Sequence, residues 1–199
     1  MPYCLVVGDP IAHSLSPVIH LAAYRELGLN WDFRCQRVRS GTLNAFLTEA
    51  DAQLRGLAVT MPLKPEALQA ATFADGLAKV TGAVNTLVPA AGGDWTGFNT
   101  DVRGVVEAFR QGGATNLPSG GSGVIFGSGS TAASALAAFT ELGLTELTVI
   151  SRTTAQTGAA FPAAQRMGLS VRAVTWHQVE DVNLSLIHIS EPTRLGMIS

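Results

Sequence analysis

Four short stretches gather hydroxyl, amide, lysine and carboxylate side chains at points where apolar runs give way to loops. They are Gly8-Asp9-Pro10-Ile11-Ala12-His13-Ser14-Leu15-Ser16-Pro17, Val59-Thr60-Met61-Pro62-Leu63-Lys64, Gly82-Ala83-Val84-Asn85-Thr86 and Gly97-Phe98-Asn99-Thr100-Asp101. Strand ends that meet loops are the usual ligand position in open α/β sheets. Taken one at a time, each stretch has a plainer reading: Ser16 as a helix cap, Lys64 as a surface charge, Asn85 as a turn residue, Asp101 as the cap of the next helix. A fifth stretch, Gly127-Ser128-Gly129-Ser130-Thr131-Ala132, is a G-x-G-x-x-A pattern between an apolar run and a helical segment. In that context Gly127 permits a tight turn, Gly129 lets the backbone approach a pyrophosphate, and Ala132 lets the helix pack on the strand, with the helix N-terminus facing the phosphates. About 20 residues past the glycines an NAD site carries Asp or Glu for the ribose 2′-hydroxyl. Here the run ends Ser151-Arg152-Thr153, without a carboxylate. A guanidinium suits a 2′-phosphate, so the pattern favours NADP.

These residues need elements to hold them, and the chain alternates short apolar runs with longer segments of helical spacing. That alternation predicts an α/β fold with a mostly parallel sheet. Strands are expected at 3–7, 31–38, 56–60, 83–88, 95–98, 123–126, 147–150 and 171–174. Helices are expected from Ser16, with Ser16 as N-cap and Pro17 in the first helical position, to Gly28, and over 42–50, 66–71, 75–80, 101–111, 130–142 and 155–167. Breakers and small polar residues concentrate over 112–121, which places a boundary between a first domain at 1–112 and a partial Rossmann-like, NADP-binding domain at 120–184.

Composition narrows the function classes. With 199 residues and 47% apolar side chains the chain can bury a core. A net charge of -2 and no basic run give no footprint for nucleic acid. The apolar run Cys4-Leu5-Val6-Val7 stops at Gly8, far short of a membrane span or a signal peptide, so a cytoplasmic protein is expected. Cys4 and Cys35 are expected as buried thiols. The four histidines include no H-E-x-x-H pair, so no metal site is expected.

Together, and in this order, G-D-P-I-A-H-S-L-S-P, V-T-M-P-L-K, G-A-V-N-T and G-F-N-T-D, followed by G-S-G-S-T-A and S-R-T, closely resemble the shikimate dehydrogenase family from Met1 to about Thr153. The resemblance implies reversible hydride transfer between NADPH and 3-dehydroshikimate, giving shikimate on the route to chorismate and the aromatic amino acids. It implies that Ser14 and Ser16 hold the substrate carboxylate, that Thr60, Asn85 and Thr100 bond the ring hydroxyls, and that Lys64 and Asp101 are the catalytic pair. Gly127, Ser128, Gly129, Ser130, Thr131, Ala132, Ser151, Arg152 and Thr153 would then hold NADP. Ser128 and Ser130 depart from the family's usual G-A-G-G-A turn, Ser151 stands where asparagine commonly precedes the arginine, and Val102-Arg103 follows Asp101 where a glycine is usual. A monomer or homodimer is expected. The remainder of a cofactor domain, and the family's returning C-terminal helix, are not legible after Val174. Residues 185–199 read as a non-native tail showing no element of that remainder. Two other functions stay open on sequence: a non-catalytic shikimate-binding fragment, and a quinate/shikimate dehydrogenase.

Overall fold

Leu5, Val6 and Val7 of β1 (Tyr3–Gly8) are buried side by side, which places both faces of this strand under cover. Such burial is what a central parallel strand requires. In the computed structural model, which describes residues 1–114, 117, 119–152, 158–181 and 187–189, β1 pairs in parallel with β2 (Asp32–Arg37) and with β3 (Leu54–Val59). The sheet continues through a two-residue β4 (Phe73–Ala74), β5 (Thr86–Pro89) and β6 (Trp95–Phe98), in the order β2-β1-β3-β5-β6-β4. β5 runs antiparallel to both β3 and β6, and β4 runs parallel to β6.

Two helices, α2 (Leu43–Thr48) and α3 (Lys64–Ala70), cover one face, where Leu5, Val7, Leu43, Leu47, Leu57, Leu63 and Ala67 form the main core. The first helix, α1 (Ser16–Glu26), covers the other through a smaller cluster of Val6, Ile11 and Phe33 with Leu21 and Tyr24. His20 stacks on Phe33 with ring centroids 4.0 Å apart. Ser16 is not the cap of α1: the flanking residue is Leu15, Ser16 is already helical, and the Ser16 amide is taken by the Ser14 hydroxyl at 3.3 Å. The expected buried thiol at Cys35 is exposed, because β2 is an edge strand and every side chain after Phe33 faces water. A short α4 (Gly76–Thr81) completes this part of the chain.

By contacts the chain divides into two compact units, Met1–Lys79 with Ala83–Thr100, and Val80–Gly82 with Asp101–Ser199. The sequence placed the boundary after residue 112, whereas α5 (Asp101–Gln111) groups with the second unit. Its valine stripe needs an apolar partner, and it finds one in α6 (Ser130–Glu141): Val102 and Val106 pack with Ala137 and Ala138, and Phe109 meets Phe139 edge-to-face at 5.4 Å. Within the second unit β7 (Ser122–Phe126), β8 (Glu146–Ser151) and β9 (Val171–Thr175) are parallel neighbours. α7 (Ala160–Arg166) links β8 to β9; the first part of the helix expected from residue 155 lies outside the described residues.

The stretch 185–199, expected to show no element of the remaining cofactor domain, contains a short strand. Residues Ile187–Ile189 form β10, parallel to β7, with Ile187 opposite Val124 and Ile189 opposite Phe126. Counted from β7, the order β10-β7-β8-β9 places the first strand of the unit inside the sheet, with later strands on both sides, as in a dinucleotide-binding half-sheet. Among the described residues no helix is long and apolar enough to cross a membrane.

Candidate active site

Strand direction collects the four polar stretches of the first unit. β1, β3 and β6 run the same way and β5 runs against them, so the ends of β1, β3 and β6 and the start of β5 share one edge. That edge carries the loops after Gly8, Val59 and Phe98 and the segment before Thr86. The sheet's order also reverses at β1, with β2 on one side and β3 on the other. A crevice outside strand ends at such a reversal is where open α/β sheets bind ligands.

The loops after β1 and β3 touch. The Thr60 amide donates to the Val7 carbonyl at 2.9 Å, and the Asp9 amide to the Met61 carbonyl at 3.1 Å. A Cβ on Gly8, between those two bonds, would stand 2.6 Å from Thr60 Cγ2 and 2.8 Å from the Met61 carbonyl oxygen, so only glycine lets the loops close. Arg37, at the end of β2, grips Asp9 through Nε at 2.7 Å and Nη2 at 3.3 Å. The Asp9 carboxylate beside it holds the Arg37 guanidinium above its ordinary pKa. Beyond Asp9, buried Ile11 anchors the loop, the Ser14 amide bonds to the Ile11 carbonyl at 3.0 Å, and the Ser14 hydroxyl donates to the Ser16 oxygen at 3.2 Å. Two hydroxyls are thereby paired at the N-terminus of an 11-residue helix.

Asn85 is clamped at the start of β5. Its Nδ2 donates to Thr100 Oγ1 at 2.9 Å, and its Oδ1 accepts from the Thr100 amide at 3.0 Å and from the Thr86 hydroxyl at 3.0 Å. Its carbonyl receives the Val59 amide at 2.7 Å and its amide donates to the Phe98 carbonyl at 3.0 Å, so one residue stitches three strands. Lys64 is the first residue of α3 and half-buried, and its carbonyl accepts the Val84 amide at 3.0 Å. The lysine backbone is therefore fixed one residue from Asn85. Ser14, Ser16, Thr60, Lys64, Asn85 and Thr100 thus belong to one edge of the first unit. Asp101, half-buried, follows Thr100 directly as the first residue of α5.

In the second unit the glycine turn lies between β7 and α6, at the point where β7 has β8 on one side and β10 on the other. Gly127 adopts φ +106°, which favours glycine, and its amide donates to the Ile150 carbonyl at 2.8 Å. Ala132 is fully buried, and the residues from Ala132 to Phe139 are buried in succession. The turn and the first-turn amides of a 12-residue helix, with no large side chain at 132, are a donor set that fits a pyrophosphate. Arg152 is exposed immediately after β8 and Ser151 is buried; Thr153 lies outside the described residues.

Three side chains escaped the sequence reading because their partners are far away in the chain. Buried Asn99 donates to the Ala83 carbonyl at 3.0 Å. Glu66 reaches the backbone at Gly41 and Leu43. Arg166, on α7, donates through Nε to the Val80 carbonyl at 2.9 Å, with its guanidinium over Gly82 where a Cβ would stand 2.5 Å from Nη2. Their residue types gave no local signal. Among the described residues no group of three His, Cys, Asp or Glu side chains could hold a metal ion.

Comparison with known proteins adds to this geometry. The family model described as the shikimate dehydrogenase substrate binding domain matches residues 6–87. The solved shikimate dehydrogenase of Mycobacterium tuberculosis superposes with a TM-score of 0.81 at 30% identity, covering 96% of this chain and 72% of that one. The shikimate 5-dehydrogenase of Thermus thermophilus, solved in complex with NADP(H) and shikimate, gives 0.80 at 33% identity, covering 96% and 69%. The pentafunctional AROM polypeptide of Lachancea thermotolerans is 36% identical over 148 residues, 74% of this chain and 9% of that protein. That of Scheffersomyces stipitis is 34% identical over 196 residues, 94% of this chain and 12% of the polypeptide. The chain thus spans only about a tenth of the AROM polypeptides it matches.

Proposed function

Because the chain belongs to the shikimate dehydrogenase family, we propose that it reduces 3-dehydroshikimate to shikimate with NADPH, in the biosynthesis of chorismate and the aromatic amino acids. The observation that carries this reading is the convergence of Ser14, Ser16, Thr60, Lys64, Asn85 and Thr100 on one edge of the first sheet. The Ser14 and Ser16 hydroxyls, 3.2 Å apart at the start of α1, hold the substrate carboxylate, and the helix's positive end favours that charge. Asn85 and Thr100, already oriented by each other, and Thr60 beside Gly8 accept and donate hydrogen bonds to the ring hydroxyls. Lys64 delivers a proton to the ketone oxygen as negative charge grows there. Asp101 orients Lys64 for that transfer. NADPH, when bound, supplies the hydride. Gly127 to Ala132 and the start of α6 hold its pyrophosphate, and Ser151, Arg152 and Thr153 hold the adenosine ribose and its 2′-phosphate.

An absorbance assay of this chain with 3-dehydroshikimate or dehydroquinate, each with NADPH and with NADH, tests the reading. Oxidation of NADPH by 3-dehydroshikimate is the expected result. Shikimate binding without that oxidation would identify a non-catalytic binding module instead, and dehydroquinate turnover a broader enzyme. Replacing Arg152 by Ala is expected to weaken NADP binding by about tenfold, the scale of a lost charge-assisted hydrogen bond, and to leave NAD binding unchanged. Dissociation constants for both nucleotides check this, and an unaltered NADP preference in Arg152→Ala would remove the arginine from the site.

A further inference from the structure

Glu66 lies two residues past Lys64 on α3, and both of its carboxylate oxygens are occupied by backbone amides of another element. Oε2 accepts from the Gly41 amide at 2.9 Å and Oε1 from the Leu43 amide at 2.8 Å. Leu43 is the first residue of α2, and Gly41 stands two residues before it. The helix's flanking residue Thr42 supplies no side-chain cap and gives its own hydroxyl to the Arg39 carbonyl at 2.8 Å. The first amides of a helix need acceptors, and a carboxylate there also meets the positive end of the helix dipole. α2 is thus capped by a side chain 23 and 25 positions away in the chain.

We propose that Glu66 is a positioning residue for Lys64: by gripping the start of α2 it fixes the rotation of α3 and so sets the direction in which the lysine amine is presented. The proposal rests on the reading of Lys64 as proton donor. Leu63 and Ala67, both fully buried, hold one side of α3 against the sheet, but apolar contact is non-directional and does not by itself fix rotation. The two bonds of Glu66 are directional and lie on one flank of that buried side. Residues two apart on a helix are separated by about 200° around its axis, so holding Glu66 toward α2 turns Lys64 to the opposite flank. A further directional bond, from the Val84 amide to the Lys64 carbonyl at 3.0 Å, ties the first residue of α3 to the segment next to Asn85.

Lys64 and Lys79 are the only lysines in the sequence, which makes the test clean. The full chain is labelled by reductive 13C-methylation, and the two dimethyl-lysine signals are titrated by NMR in the wild type, Glu66→Gln and Glu66→Ala. Steady-state kinetics are measured on the unlabelled proteins. The expected result is a displaced Lys64 signal and titration midpoint in both variants with Lys79 unmoved. It includes a kcat lowered roughly tenfold in Glu66→Ala, as for a misaligned catalytic group, at nearly constant KM, and less in Glu66→Gln, which keeps one acceptor. Unchanged Lys64 signals in a folded Glu66→Gln would overturn the proposal, as would a loss of thermal stability with kcat and the Lys64 midpoint both intact. If the wild type shows no turnover, the dehydrogenase reading fails, while the NMR arm still decides whether Glu66 sets the position of Lys64.

Discussion

Replacing Lys64 by Ala is expected to lower kcat by roughly a hundredfold or more, the scale of lost general acid catalysis. The fold should tolerate the change. Lys64 is half-buried at the first position of α3, its structural contact to Val84 is made by the backbone carbonyl, and the core contacts on either side belong to Leu63 and Ala67. Shikimate affinity should therefore stay within a few-fold, because the proposed carboxylate and hydroxyl contacts at Ser14, Ser16, Asn85 and Thr100 are untouched. A residue acting only in the transition state lowers kcat and kcat/KM together. Lys64→Arg should recover only part of the loss, since a guanidinium keeps positive charge near the developing oxyanion but does not release a proton at neutral pH. Steady-state rates with direct shikimate titration check this, and a wild-type kcat in Lys64→Ala would end the assignment.

The second large effect is expected from Gly8→Ala. The added Cβ would meet two neighbours, Thr60 Cγ2 at 2.6 Å and the Met61 carbonyl oxygen at 2.8 Å. The threonine methyl can turn away, but the carbonyl is backbone and is held by the Asp9 amide. The loops after β1 and β3 must then part, at a cost of about 1–3 kcal/mol, as for other overpacked sites. For a chain of this size that lowers Tm by roughly 2–12 °C. Shikimate binding should weaken as well, since Thr60 moves with its loop. Adding Thr60→Ser removes the methyl and leaves the carbonyl, so the double variant should remain destabilised. Thermal melts of the two proteins decide it: recovery in the double variant would show that the methyl contact was the one that mattered.

Much of this architecture is written locally. Runs of Val, Ile and Leu bounded by glycine and proline marked β1, β7, β8 and β9 to within a residue or two at each end, the short Trp95–Phe98 stretch after a glycine turn marked β6, and the valine stripe of α5 marked its full span. The residues grouped at the site were legible because strand ends carry their own loop motifs. What sequence periodicity does not encode is direction and partnership. The reversed course of β5 is set by pairing with β3 and β6, and the expected start at residue 83 moved to Thr86 because the preceding residues bond to Lys64, Ala78 and Phe98 instead of continuing a ladder. β4 has two residues, too few to show any period. α5 changes unit because its valines pack on alanines some 30 residues later, and β10 is a strand through its pairing with β7. Glu66, Asn99 and Arg166 were silent for the same reason: each acts on a backbone group distant in the chain.

The two separate sheets also bear on self-association. An open sheet edge is a template for another chain's strand unless it is short or charged. β2, the edge beside β1, carries exposed Arg34 and Arg37; β4, at the opposite edge, has only two residues; β9 sets exposed Arg172 among Val171, Ala173 and Val174. Among the described residues, three of the four sheet edges therefore resist strand addition, and Arg37, which steadies the loop at Asp9, also serves as one of these gatekeepers against aggregation.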